Sequence, residues 1–150
     1  IVDFDVHHGN GTQTMFCNDA NTLFASTHQF PHYPGTGASN ETGLGNIFNA
    51  PMAPNEGSVE FRAAMENIIF PALRDFKPDM VFISAGFDAH ARDPLASIRL
   101  EEPDFEWATQ NIIQISGEFS GGRLVSTLEG GYDLAALANS VQAHVGALSA

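Results

Sequence analysis

Cysteine, basic residues and long apolar runs are all scarce in this chain. Cys17 is the single cysteine, so no disulfide can form within the chain. Only 6 residues are Lys or Arg, against 18 Asp and Glu, and the formal net charge is −12. There is neither a secretory signal nor an apolar run of the ~18 residues that a membrane-spanning helix requires. We therefore expect a cytoplasmic protein without disulfides or membrane partners.

The excess of acidic residues also restricts the partners of the protein. A surface of this charge should repel the phosphate groups of nucleic acids and of anionic lipids, which disfavours direct nucleic-acid binding. It should attract basic ligands, such as a lysine-rich peptide or a polyamine. The 150 residues are 43% hydrophobic, which is typical of one globular domain with a substantial core.

Short apolar segments predict the strands of the protein. Largely apolar segments of this length are typical of strands that are covered on both faces. The predicted strands comprise residues 1–6, 23–27, 80–85 and 123–128. A stretch rich in Gly, Pro and Asn, residues 29–55, predicts a long functional loop with one short strand near Ile47.

Helical patterns lie between some of the predicted strands. They comprise residues 57–76, 103–117 and 134–148. Pro71 predicts a kink within the first of these helices, because proline removes a backbone donor from the helix interior. Strands that alternate with helices predict a parallel sheet in an α/β fold.

Polar or glycine-rich residues follow three of the predicted strands, in VDFDVHH, ISAGFD and TLEGGY. Ligands of open parallel sheets bind beyond the carboxyl ends of the strands, so we expect these segments to converge. Asp3, Asp5 and His7 alternate with apolar residues, and the twofold period of a strand places their side chains on one side. Buried carboxylates beside a histidine indicate a bound cation.

The residue types at these strand ends fit a catalytic metal site. A catalytic zinc takes three protein ligands and leaves one position for water. Asp5 and His7 would supply two ligands, and Asp88, after another strand, would supply the third. On residue types alone the predicted ion is divalent, either zinc or manganese.

Four segments in order give a more specific indication. VDFDVHHGNGTQ, STHQFPHYPGTG, ISAGFDAHARDPL and LEGGYDL resemble the signature segments of the zinc-dependent histone deacetylase family, in particular the bacterial histone deacetylase-like amidohydrolases. The resemblance extends from Ile1 to about Gly146. It implies the arginase-deacetylase fold, which has three α/β/α layers around a parallel sheet. Because family members have a substantial preceding portion, we expect residues 1–150 to be the C-terminal part of a single deacetylase catalytic domain.

The resemblance implies roles for the residues at the strand ends. Asp5, His7 and Asp88 would hold one zinc ion, and a water activated there would hydrolyse the amide of N-acetyl-lysine. Tyr132 matches the family tyrosine that donates a hydrogen bond to the developing oxyanion. On the residues alone, the favoured interpretation of the Glu129–Tyr132 segment is a strand-to-helix turn with an aromatic plug.

Further residues match positions that support the zinc site in relatives. A monovalent cation, usually potassium, would lie behind the zinc, and the alternative there is a buried Asp hydrogen-bonded to Ser. The cation positions match Asp3, Asp5, His7, Ser26 and Thr27. Asp3 and Asn10 also match residues that orient two adjacent histidines, one of which is the general base. That histidine pair is absent from the chain, and we interpret His8 as structural.

The substrate channel is implied by the same resemblance. Tyr33 matches the aromatic residue on one wall of the acyl-lysine channel, although it could instead anchor its loop. Leu95 matches an apolar residue at the channel rim. Gly130 and Gly131 would let the turn before Tyr132 approach the metal closely.

Two classes of function remain open at this point. The chain is either part of an amide hydrolase or a non-catalytic metal-binding fragment that lacks the histidine base. The hydrolase would act on acetyl-lysine or on a small acetylated amine such as an acetylpolyamine. Arginase-like chemistry with two metals is disfavoured, because HHGN lacks the further aspartate that a second metal requires. We expect the 150-residue chain alone to be inactive and to self-associate through an unpaired strand edge.

Overall fold

Five parallel strands form the single sheet of the protein. A computed structural model describes all of residues 1–150. The strand order is β3-β2-β1-β4-β5, and every neighbouring pair is parallel. The strands are β1 (Val2–Asp3), β2 (Phe24–Gln29), β3 (Ile47–Met52), β4 (Val81–Ala85) and β5 (Leu124–Leu128). The predicted α/β fold with a parallel sheet is confirmed.

Five α-helices connect or flank these strands. They are α1 (Asn10–Phe16), α2 (Ser58–Ala64), α3 (Phe70–Phe76), α4 (Glu102–Phe119) and α5 (Leu134–Leu148). Asp133 caps α5 by accepting a hydrogen bond from the backbone N–H of Ala136. None of the helices combines the length and the apolar character that crossing a bilayer would take.

Three elements differ from the sequence-based predictions. The regular part of β1 ends at Asp3, because the chain bends immediately afterwards at residues 5–7. The predicted helix over residues 57–76 contains a π-helical segment, Met65–Ile69, which accommodates Pro71 near the start of α3. Helix α1 was not predicted, because it is a short helix without a buried residue.

Aromatic packing in the core fixes the chain segments that carry Asp5 and Asp88. The rings of Phe4 and Phe87 are 6.0 Å apart between centroids, and Phe105 of α4 lies 5.1 Å from Phe87. All three side chains are at most 2% exposed. Burying each ring contributes roughly 1.5–3 kcal/mol. Since Phe4 and Phe87 immediately precede Asp5 and Asp88, this packing determines where the two carboxylates lie.

One face of the sheet is open at β4 and β5. Val81 and Ile83 of β4 are buried, whereas Phe82 between them is 44% exposed. Its register partner Val125 on β5 is also 44% exposed. The self-association expected for the isolated chain stays a prediction, and this apolar face gives it a second physical cause besides the strand edge.

Candidate metal centre and active site

Asp5, His7 and Asp88 come together at the carboxyl ends of β1 and β4. One ligand atom from each residue lies within 4.8 Å of the other two. The imidazole Nδ1 of His7 is 3.0 Å from Asp5 Oδ1 and 3.0 Å from Asp88 Oδ2. The strands β1 and β4 are direct parallel neighbours, so their ends lie at one edge of the sheet. The sequence-predicted ligand set therefore occupies one place in the structure.

Backbone donors hold both carboxylates in position. Asp5 Oδ1 accepts a hydrogen bond from the backbone N–H of His7 at 2.8 Å, and Asp5 Oδ2 accepts one from Gly130 at 2.8 Å. Asp88 Oδ1 accepts from the backbone N–H of Val6 at 2.8 Å. These contacts leave Asp88 Oδ2 directed at His7, so the donor atoms are fixed by the chain itself.

The electrostatics of this cluster favour a bound cation. Asp88 is 0% exposed, and burial together with the neighbouring Asp5 raises its pKa to about 7. Burial, followed by repulsion from Asp5, also raises the pKa of Asp3 well above its usual value. A single N–H at His7 Nδ1 could form a full hydrogen bond with only one of the two carboxylate oxygens, Asp5 Oδ1 or Asp88 Oδ2. The donor set therefore fits a divalent ion, which would offset the repulsion between the acids.

Asp3 lies behind this cluster and is buried. Its Oδ1 accepts a hydrogen bond from the backbone N–H of Asp5 at 3.0 Å. Ser26 Oγ lies 2.9 Å from His28 Nδ1 and forms no hydrogen bond with Asp3, which was the alternative to a cation site. Thr27 is buried on the same strand. The potassium site gains no support from these contacts and stays a prediction.

Tyr132 lies at a cleft that two of the three predicted ligands also line. The cleft has a volume of about 560 Å³, and Asp5, His7 and Tyr132 all line it. The Tyr132 side chain is 51% exposed. Its pKa is raised, first by partial burial and then by the charges of Asp88 and Asp5. The phenol therefore keeps its proton at neutral pH and can donate a hydrogen bond into the cleft.

The two glycines before Tyr132 are required by close packing. A Cβ atom on Gly130 would collide with Asp88 Oδ2 and lie only 2.7 Å from Asp5 Oδ2. Gly131 has a φ of 144°, a conformation that L side chains rarely adopt. This turn connects β5 to α5, and it also brings Tyr132 to the cleft.

Tyr33 and Leu95 line the same cleft. Tyr33 is 77% exposed, and its ring centroid lies 6.2 Å from that of His7 in an edge arrangement. Leu95 is 51% exposed. The His32 ring stacks on His7 at 5.3 Å, a contact that the sequence pattern did not indicate. Tyr33, Leu95 and His32 thus place aromatic and apolar surface near the predicted metal ligands.

Two other residues considered in the sequence have different surroundings. His8 is buried, and its ring nitrogens lie 2.8 Å from Thr36 Oγ1 and 2.9 Å from Gln13 Oε1. These contacts fit the structural role inferred for it. Asn10 is exposed at the start of α1. Its role in orienting a histidine pair stays a prediction.

Asp93 is a residue of this region whose contacts the sequence reasoning missed. Its carboxylate is buried and accepts hydrogen bonds from the backbone N–H groups of Tyr132 and Leu95. In the sequence, Asp followed by Pro is typical of an ordinary turn. Only the long-range hydrogen bond from Tyr132 distinguishes Asp93 from such a turn residue.

Comparison with known proteins gives a consistent result. Residues 1–148 match the model of the histone deacetylase domain. The chain is 45% identical over 145 residues to "Histone deacetylase 10, chloroplastic" of Oryza sativa subsp. japonica. The matched region covers 94% of this chain and 33% of that protein. It is 41% identical over 138 residues to "Probable deacetylase" of Archaeoglobus fulgidus, covering 89% of this chain and 38% of that protein.

Solved structures agree with the sequence comparison. The crystal structure of the HDA15 HD domain superposes with a TM-score of 0.91 at 37% identity, over 98% of this chain and 42% of that one. The histone deacetylase Clr3 gives a TM-score of 0.91 at 34% identity, over 98% and 26%. The expected arginase-deacetylase fold is thereby confirmed. The chain spans roughly a third of the rice and archaeal proteins, and it belongs to the histone deacetylase family.

Proposed function

We propose that these residues belong to a zinc-dependent deacetylase that hydrolyses the acetamide of N-acetyl-lysine in proteins. The observation that carries this proposal is the meeting of Asp5, His7 and the buried Asp88, because Asp5 and His7 line an open cleft together with Tyr132. Membership of the histone deacetylase family supports deacetylase activity in general terms. Zinc, the acetyl-lysine substrate and the residue roles are the parts that we propose.

Asp5, His7 and Asp88 would hold the zinc ion. Zinc bound there would polarise the acetamide carbonyl and lower the pKa of a water molecule. The chain contributes the geometry: backbone N–H groups of Val6 and Gly130 fix the carboxylates, so that the ligand atoms are preorganised. The protonated, partly exposed Tyr132 would donate a hydrogen bond to the carbonyl oxygen as negative charge develops on it.

The general base is assigned to the rest of the catalytic domain. The resemblance places a pair of adjacent histidines outside residues 1–150. None of the histidines here that contact the cleft is free for that role, because His7 is a ligand candidate and His8 is engaged by Thr36 and Gln13. We therefore propose that the chain is the C-terminal part of the catalytic domain and is inactive alone.

The charge of the protein bears on its substrate. A formal net charge of −12 favours the approach of positively charged substrates, such as acetyl-lysine within a basic peptide. An acetylpolyamine has the same favourable charge and is our second candidate. Tyr33 would pack against the methylene groups that both substrates share. Neither proposal includes nucleic acid or a membrane as a direct partner, and cytoplasmic localisation stays a prediction.

One comparison tests the proposal. The complete catalytic domain and the 150-residue chain would be incubated with zinc and an acetyl-lysine peptide, and released acetate would be measured. N-acetylputrescine in place of the peptide tests the second candidate. We expect acetate release by the complete domain and none by the chain. Absence of acetate release from both substrates by the zinc-loaded complete domain would favour a non-catalytic metal-binding role.

A further inference from the structure

The Asp93 carboxylate joins the two loops that form the outer cleft. It follows β4 by eight residues, whereas Tyr132 follows β5. Asp93 Oδ2 accepts a hydrogen bond from the backbone N–H of Tyr132 at 2.8 Å, across 39 positions of sequence. Asp93 Oδ1 accepts from the backbone N–H of Leu95 at 2.9 Å. One carboxylate thus accepts hydrogen bonds from two residues that line the cleft.

The burial of Asp93 makes these two hydrogen bonds consequential. The residue is 8% exposed, and a buried carboxylate is costly unless its oxygens accept hydrogen bonds. Each of its two oxygens has one backbone donor. In contrast, the side chains of Tyr132 and Leu95 are each 51% exposed, so packing alone does not fix them. Their backbone hydrogen bonds to Asp93 constrain the backbone at both positions.

The segment before Tyr132 needs such a constraint. Gly130 and Gly131 precede it, and glycine has more backbone freedom than any other residue. Asp133, which follows, is held by α5 and pairs with Arg92 at 3.1 Å on the protein surface. The turn is held at Gly130 by the hydrogen bond to Asp5, and the amide of Tyr132 ties it to the buried part of the loop after Asp88.

We propose that Asp93 is a positioning residue, which holds the Tyr132 phenol at the reacting carbonyl and keeps it in register with Leu95 at the cleft rim. This inference rests on the proposed function, because it assumes that Tyr132 donates to the oxyanion. Asp93 does not touch substrate or metal. It acts through the backbone of Tyr132.

The Asp93→Asn variant tests this role. A carboxamide has one acceptor oxygen, and its NH₂ group would face one of the two backbone donors. In the complete catalytic domain with zinc, we expect kcat for an acetyl-lysine peptide to fall about 10- to 100-fold. Zinc content should equal that of the wild type, since Asp93 is no ligand. Asp133→Asn is the matched control, because Asn also caps helices, and its kcat should change less than about twofold.

A double variant separates positioning from a general structural effect. If Asp93 acts through the phenol, Asp93→Asn should change kcat less than about twofold in a Tyr132→Phe background. An equal fold-loss in both backgrounds would overturn the positioning role while leaving the proposed function intact. An unchanged kcat for Tyr132→Phe alone would instead overturn the oxyanion role in the proposed function.

A measurement on the unaltered enzyme covers the case in which Asp93→Asn does not fold. Residue-resolved hydrogen exchange of the wild-type domain reports directly on the Tyr132 amide. We expect its exchange to be slowed by at least about tenfold relative to an unprotected amide, because it is bonded to a buried carboxylate. Exchange at the unprotected rate in the folded enzyme would overturn the inference.

Discussion

The carboxylate of Asp88 lies 3.0 Å from the imidazole Nδ1 of His7, although 81 positions separate the two residues in sequence. The contact exists because β1 and β4 are adjacent parallel strands whose carboxyl ends meet. Asp5 Oδ1 lies at the same distance from the same nitrogen. Two acids thus share one imidazole, and a divalent ion would satisfy all three donors.

Gly130 should tolerate no side chain. A Cβ atom there would collide with Asp88 Oδ2, so Gly130→Ala must displace the carboxylates or the turn. We expect zinc affinity, measured by competition with a chelator, to fall at least about tenfold.

Gly117→Ala is the matched control for that change. No atom lies within 4 Å of a Cβ at Gly117, which is inside α4. We expect unchanged zinc affinity and a free energy of unfolding raised by about 0.5–1 kcal/mol, because alanine is the better helix former. Unchanged zinc affinity in Gly130→Ala as well would contradict the close approach of this turn to the ligands.

Tyr132→Phe removes one hydroxyl and keeps the ring. If the phenol donates to the developing oxyanion, kcat should fall about 10²- to 10³-fold, the usual loss for one such donor. KM should change little, because the bond strengthens only as charge develops. Steady-state kinetics with an acetyl-lysine peptide measures both quantities. A raised KM at constant kcat would assign Tyr132 to substrate binding instead.

Tyr33 should contribute to substrate binding through its ring. The side chain is 77% exposed at the cleft, so it has apolar surface available for lysine methylenes. Tyr33→Ala is expected to raise KM about tenfold, while Tyr33→Phe keeps the ring and should leave KM unchanged. Equal KM values for both variants and the wild type would favour the alternative role of a loop anchor.

His28 should make the fold sensitive to acid. The residue is 1% exposed, and burial lowers its pKa from 6.5 to about 4. Protonation then favours the unfolded state, so the free energy of unfolding should fall as pH decreases from 6.5 towards 4. The loss from this group is at most about 3 kcal/mol. Denaturant unfolding of the complete domain across this pH range measures it.

His28→Gln provides the comparison for the acid effect. The glutamine amide can still donate to the carbonyl oxygen of Gly37, which lies 2.8 Å from His28 Nε2. We expect the variant to lose less stability than the wild type between pH 6.5 and 4. Equal losses in the two proteins would show that other groups control the acid sensitivity.

Features that follow from hydrophobic periodicity, or from residues close together in the sequence, could be predicted from the sequence. The alternation of Asp3, Asp5 and His7 with Phe4 and Val6 predicted that the two apolar side chains lie in the core, and both are buried although the regular strand ends at Asp3. The apolar segments predicted β1, β2, β4 and β5 and the parallel sheet that they form. The strand-end rule then brought the predicted ligands to one edge.

Features that depend on long-range polar contacts were not accessible. Helix α1 buries no residue and is tied down by Gln13, whose amide contacts His8 and Glu41. A helix of that kind has no apolar periodicity to detect. The Asp93 contact to Tyr132 joins two loops, and loop geometry follows from the whole fold instead of a local pattern.

The most direct test of the central claim is the zinc content of the purified complete domain, measured by mass spectrometry for the wild type, Asp88→Ala and Asp79→Ala. Asp79 is an exposed acid just before β4, the strand that Asp88 follows, and it serves as the control. We expect about one zinc per chain in the wild type and in Asp79→Ala, and almost none in Asp88→Ala. Full zinc occupancy in Asp88→Ala would contradict the proposed metal centre.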